Sequence, residues 1–190
     1  MARESLGYRY TWWRGDPLPS LAPLTAFQVE CLEDVHLLAQ LHQVNQRLLA
    51  ERIDAGNRPY VAFLGDKPVA YGWSATQTER IGPALAWPLA ANERALWDFV
   101  TGAAWRGQGI YPRLLQAILQ TEAGEAEHFW IGHTPDNTAS KRGILKAGFQ
   151  PTAHILQTGN GEMRWLPQGE RRRIVADPMV KHCNITEEVT

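Results

Sequence analysis

Residues 105–115 read WRGQGIYPRLL, with an arginine and two glycines around a glutamine directly ahead of a helical pattern. A strand, a tight glycine turn and a helix N-terminus can together bind an anion, because the first helical N–H groups have no intrahelical partner and the helix dipole adds positive potential. Gly107 and Gly109 would let backbone approach a phosphate or pyrophosphate closely, and Arg106 would add a charge. The alternative is that the two glycines only permit a sharp strand-to-helix turn. A nucleoside triphosphatase loop is excluded by the missing G-x-x-x-x-G-K-[ST], and a dinucleotide fingerprint lacks its third glycine.

Four ionisable residues could move protons, Tyr111 beside the loop among them as a poorly placed substitute acid. Asp98 lies inside LWDFV, where a carboxylate must be paired, solvated by a cleft or shifted in pKa; a structural hydrogen bond to a neighbouring loop would serve as well. Glu93 stands at the start of the same run, as a base or as an exposed strand end. His133 follows a compact apolar run and could act as base or acid, since an imidazole titrates near neutral pH, or be a satisfied surface histidine.

These residues need elements to position them. A candidate strand at Tyr8–Trp13 is followed by a proline-rich connector, DPLPSLAPL. Leu37, Leu41, Val44 and Leu48 share one helical face, predicting a long helix that ends at Ala55-Gly56-Asn57. Tyr60–Leu64 and Val69–Trp73 flank GDKP as a hairpin, and RIGPALAWPLAANE then leads to the buried run ALWDFV. Ile110, Leu114 and Ile118 set a helix face with Pro112 in the first turn, closing at Ala123-Gly124. After the apolar run His128–Ile131, Asn137 is placed to cap a helix over Thr138–Ala147, with Gly148 left-handed and Phe149 beyond it. His154–Gln157 and Met163–Leu166 read as strands around TGNGE. Residues 167–190 receive no role, and Arg171–Arg173 read as a solvated edge.

Composition bounds the function. The chain has 190 residues, 44% hydrophobic and 21% charged, which fits a single domain over 1–190. A net charge of −1 provides no global field for nucleic acid or an anionic membrane, so any anion must be bound locally. No apolar run approaches the roughly 18 residues of a membrane span and no signal peptide is evident, so a cytoplasmic protein is expected. Cys31 and Cys183 lack metal-ligand spacing, so plain thiols and no metal are expected. Eight tryptophans, Trp73, Trp97, Trp105 and Trp130 among them, are expected mainly in the core.

RGQGIY after the strand ALWDFV, followed about thirty residues later by N-T-A-S…K-A-G-F, resembles the GNAT family of acyl-CoA-dependent N-acetyltransferases. The resemblance covers about residues 25–166 and implies an α/β fold of α+β type. Its sheet would be mixed and mostly antiparallel, flanked by helices, with a splayed central strand pair holding the coenzyme. It implies acetyl-CoA as co-substrate, bound by Val100, Arg106, Gly107, Gln108, Gly109, Ile110, Tyr111 and Asn137, with Asp98, Glu93 or His133 as catalytic groups. The expected reaction is direct acetyl transfer to a primary amine of a small molecule or peptide in a ternary complex. A non-catalytic acyl-CoA-binding module and a transferase of longer acyl groups are the alternatives, and a homodimer is plausible in this family. The family's small residue after the second glycine is Tyr111 here. Its tyrosine seven positions after the asparagine, which protonates the departing thiolate, is Ile144.

Overall fold

The computed structural model describes residues 3–81, 85–182 and 186–187. Nine strands form one sheet in the order β11-β10-β9-β1-β8-β7-β4-β3-β2. In chain order these are β1 (Arg3–Trp13), β2 (Phe27–Cys31), β3 (Asn57–Leu64), β4 (Lys67–Ala75), β7 (Glu93–Thr101), β8 (His128–His133), β9 (Gln150–Thr158), β10 (Met163–Pro167) and β11 (Thr186–Glu187). Neighbouring strands are antiparallel except β7 with β8 and β10 with β11. The mixed, mostly antiparallel sheet expected from the sequence is therefore present. The N-terminal strand is longer than the sequence suggests and lies in the sheet interior, between β8 and β9.

Two helices cover one face: α3 (Ile110–Glu122) and α4 (Thr138–Ala147). Ile110, Leu114 and Ile118 of α3 and Ile144 of α4 are buried with Tyr10, Trp12, Phe129 and Ile131 in the largest core cluster. Both caps of α4 are as the sequence predicts: Asn137 Oδ1 accepts from Ser140 N–H at 3.0 Å, and Gly148 is left-handed at φ 106°.

The opposite face is covered in two groups. The expected long helix is two, α1 (Val35–His42) and α2 (Gln46–Asp54). Gln43 turns left-handed at φ 54° and Asn45 caps α2 through Arg47 N–H, so the heptad-like leucine spacing continues across a break. These helices pack Leu38 and Leu49 on Val61, Tyr71 and Trp73. The second group contains the hairpin β5 (Thr78–Ile81) and β6 (Leu85–Pro88), read from the sequence only as a connector, and α5 (Arg171–Ala176) and α6 (Pro178–His182). Trp87, Trp165, Ile174 and Met179 are buried together there.

The C-terminal segment, to which the sequence assigns no role, packs into the fold through α5 and α6. Arg173 is buried and grips Asp16 through both terminal nitrogens at 2.7 Å, so the arginine triplet is not merely a solvated edge. Asp177 and Glu79 both pair with the buried Arg9, which ties β1, the β5–β6 hairpin and α6 together. Cys31 is an exposed free thiol, and Cys183 lies outside the described residues. Among the described residues no helix is long and apolar enough to cross a membrane, and no cluster of metal-ligating side chains occurs.

Candidate active site

Strands β7 and β8 run parallel and are paired from Glu93↔His128 to Leu96↔Ile131. Beyond that point they part, and the gap opens at their C-terminal ends. The cause on β7 is a bulge: Trp97 faces Trp73 and Val100 faces Tyr71, so Asp98 and Phe99 together oppose Gly72. Asp98 takes φ 52°, a conformation that a non-glycine residue adopts at a cost of about 1 kcal/mol. The extra residue resets the alternation. Trp97 packs with the α1/α2 cluster, Phe99 packs with the α3/α4 cluster, and Asp98 reaches α2, where Arg52 Nη1 donates to its Oδ2 at 2.7 Å.

Arg52 is held in turn over Trp97 and Trp73, at 4.7 Å and 5.4 Å from the ring centres. Burial first and the Asp98 carboxylate second push the Tyr71 hydroxyl up to about 12, against the opposing pull of Arg52. Asp98 thus sits at the splay in a pocket of aromatic rings. Nearby, Gly132 is exposed although β8 is an interior strand. It marks an opening between the two groups that cover this face.

On the other face the chain leaves β7 through Gly102, makes a single 3-10 turn at Ala103–Trp105, and enters α3 by the RGQG loop. Gly107 and Gly109 have φ 78° and 71°, the left-handed region that glycine tolerates best. A Cβ on Gly107 would meet nothing within 4 Å, so the backbone there borders open space. Gly109 is the N-cap and has no side-chain cap. The helix offers no partner to the N–H groups of Ile110 and Tyr111, and Pro112 contributes none. This is an open cradle of N–H donors at the positive end of a thirteen-residue helix, and it fits a pyrophosphate.

The candidate coenzyme-binding side chains differ in what they do. Arg106 is exposed, its Nε donating to Thr101 O at 3.2 Å; Gln108 folds back onto Ala104 O at 3.1 Å. Ile110 is buried as a helix anchor, so only its N–H can serve a ligand. Val100 is exposed just after the bulge. The Asn137 side chain caps α4. Tyr111 turns its ring toward α4, where a Cβ on Gly143 would lie 2.7 Å from Cε1 and closer to Cδ1. Its ring centre is 5.4 Å from that of Phe99 and its hydroxyl is 3.3 Å from Ser140 Oγ. Gly143 is what accommodates a tyrosine at this position. Burial pushes the Tyr111 hydroxyl up to about 12, and its contact with Ser140 directs it to α4.

Of the proposed proton-transfer groups, the structure brings Asp98 and His133 to the splay and leaves Glu93 away from it. Glu93 lies at the paired, closed end of β7, is 5% exposed, and accepts from Ala90 N–H at 2.9 Å. Its carboxylate closes the turn at Ala90, at the end of β7 away from the splay. His133 is at the open end of β8, hydrogen-bonded to Tyr10 Oη at 3.0 Å and Thr134 O at 2.7 Å. Sequence reasoning missed Arg52, Phe99, Gly143 and Tyr10. Each is separated from its partner by 12 residues or more, with no local pattern to join them.

A profile of the Acetyltransferase (GNAT) family matches residues 22–149. No curated protein matches the chain. Among solved structures, an acetyltransferase from the GNAT family of Colwellia psychrerythraea is 15% identical with a TM-score of 0.56, covering 82% of this chain. The chain spans only 56% of that protein's length. A putative GNAT-family acetyltransferase from Novosphingobium aromaticivorans is 14% identical with a TM-score of 0.55, over 81% of this chain and 65% of its own. The aminoglycoside acetyltransferase AAC(6')-Ib, solved with coenzyme A and kanamycin, is 18% identical with a TM-score of 0.52, over 70% of this chain and 95% of its own.

Proposed function

Because the chain belongs to the GNAT family of acetyltransferases, we propose that it moves an acetyl group from acetyl-CoA to a primary amine of a small molecule or peptide. Transfer is direct, within a ternary complex. The observation that carries this reading is the open N–H cradle at Gly107–Tyr111 beside the splay of β7 and β8.

Each residue then has a task. The loop N–H groups and Arg106 bind the pyrophosphate. The exposed backbone around Val100, freed by the bulge, borders the pantetheine arm and favours charge developing on the thioester oxygen. The acceptor enters from the opposite face, through the opening between Trp97, Asp98 and Gly132. Asp98 receives a proton from the incoming amine, which must be neutral to attack, and Arg52 holds the carboxylate in place. Direct attack requires no covalent enzyme intermediate. The surrounding Trp97, Trp73 and Tyr71 favour an acceptor with an apolar or flat portion next to its amine.

The deciding experiment is calorimetric titration with acetyl-CoA, CoA and NADH, followed by thiol release over an amine panel that includes aminoglycosides and peptides. Saturable binding of the two CoA species alone, with amine-dependent thiol release, is expected. Binding without release for any amine would mark an acyl-CoA-binding module instead, a reading that Ile144 at the family's acid position makes worth testing. Failure of all three to bind would leave RGQGIY as a turn.

A further inference from the structure

The N-terminal strand carries a proton-bearing pair to the cleft. Tyr10 and Trp12 of β1 turn to the α3/α4 face, with Tyr8 on the same side. The β1–β8 register sets Tyr10 opposite Ile131 and Tyr8 opposite His133. Ile131 is the last β8 residue paired with β7, so His133 stands two residues into the splay. Its ring stacks on Tyr8 and Tyr10, with centres 5.2 Å and 5.4 Å apart.

The hydrogen bonds set the protonation pattern. A carbonyl oxygen only accepts, so His133 Nδ1 donates to Thr134 O at 2.7 Å and carries the proton of the neutral ring. Nε2 is then the acceptor for the Tyr10 hydroxyl at 3.0 Å. Tyr10 shares its buried cluster with Ile131 and with Ile144, the residue that stands where the family resemblance puts an acid. The other groups around the pair are Tyr8, stacked on His154 at 4.3 Å, Ser5, bonded to His154 at 2.7 Å, and Lys141 of α4, 5.8 Å from the Tyr8 ring centre.

Building on the acyl-transfer reading above, we propose that Tyr10, coupled to His133, protonates the thiolate that leaves when the acetyl group is transferred. The Tyr10 O–H bond breaks as the S–H bond forms, and the tyrosinate left behind, beside the neutral His133 ring, recovers a proton from water. The proton lost by the acceptor nitrogen passes through Asp98 to water and balances the one that water returns to Tyr10, so no further reactant is needed. The N-terminal strand thereby supplies a function that α4 lacks.

The test uses acetyl-CoA with hydroxylamine, a small acceptor that makes little demand on an acceptor pocket, and pairs it with binding and NMR. Tyr10→Phe is expected to keep acetyl-CoA affinity within about two-fold, since the cradle is untouched, and to lower transfer by about 100-fold or more. His133→Gln should fall comparably, and the double variant no further than the worse single one, as for groups that act as a unit. Tyr8→Phe serves as a control and should stay within about three-fold, since only its ring takes part in the stack. In the free protein, 15N NMR of His133 should show the Nδ1–H tautomer, with the Nε2 resonance moving in Tyr10→Phe. Transfer by Tyr10→Phe within about three-fold of the parent, or an Nε2–H tautomer, would overturn the relay while leaving acyl transfer standing. A parent protein that binds acetyl-CoA but acetylates neither hydroxylamine nor any amine of the panel would overturn acyl transfer itself, and the relay with it.

Discussion

Replacing Gly143 by alanine should have opposite effects on stability in two backgrounds. In an isolated helix interior, glycine to alanine stabilises by about 1 kcal/mol. Here the new Cβ would lie 2.7 Å from Tyr111 Cε1 and closer to Cδ1, against an ordinary carbon separation of about 3.5–4.0 Å. The ring must retreat by about 1 Å or more. Phe99 flanks it and Ser140 holds its hydroxyl, so retreat disturbs packed neighbours. Overpacking of this kind costs about 1–3 kcal/mol. Set against the helix gain, the net is a loss of roughly 0–2 kcal/mol, a fall in melting temperature of up to about 8 °C for a chain of this size. In a Tyr111→Ala background the obstruction is gone, and Gly143→Ala should stabilise by about 1 kcal/mol. Urea denaturation of the four proteins measures both steps and a coupling of about 1–3 kcal/mol between the sites. A stabilising Gly143→Ala in the parent protein would refute the packing argument, and equal effects in both backgrounds would refute the contact.

Three further outcomes follow from the same reasoning. Gly107→Val places a branched side chain in the open space of the cradle at φ 78°, and should weaken acetyl-CoA binding by about ten-fold or more in calorimetric titration while costing about 1–2 kcal/mol of stability; unchanged affinity would remove the loop from the binding site. Glu122 is fully buried and receives Arg94 Nε, Arg58 Nη1 and the Tyr60 hydroxyl, so Glu122→Gln removes the buried carboxylate facing Arg94, leaves it the exposed Glu125, and should cost about 3–5 kcal/mol by urea denaturation. Asp16 is raised by burial but held lower overall by its bonds to Arg173 and the Trp13 N–H, and therefore folds with a pKa below its unfolded value of 3.8. Its contribution is present above that pH and is lost as pH falls further, so the stability gap between the parent and Asp16→Asn should be constant near neutrality and close below about pH 4.

Local chemistry was the legible part of this chain. The cap and terminator of α4, Asn137 and Gly148, act through residues one turn away, and the α3 face follows from the spacing of Ile110, Leu114 and Ile118. The break between α1 and α2 was hidden because the apolar spacing runs on through Gln43, a residue with no evident reason to turn left-handed. The β5–β6 hairpin was obscured by alanine and proline, which carry little strand signal. At the site, the glycines of the cradle announced themselves, whereas the bulge rests on an aspartate in a glycine-like conformation. Its stabilising contact, Arg52, comes from a helix 46 positions earlier. The role of the C-terminal segment depends on Arg9, 168 positions from Asp177, and no periodicity reports such a pairing.

The place of the first strand bears on how the protein comes to exist at all. β1 leaves the ribosome before its partners β8 and β9, which follow more than a hundred residues later. Until they are synthesised, YRYTWW is an unsatisfied strand with aromatic side chains and free backbone groups. Without β1, the sheet order divides into β11-β10-β9 on one side and β8-β7-β4-β3-β2 on the other. Joining the two parts through β1 is a non-local event that carries a large loop-closure entropy and favours slow, late closure. A nascent chain truncated before β8 would have a tethered arm with nowhere to dock, making that arm the point at which chaperones or misassociation with a second chain would act during biogenesis.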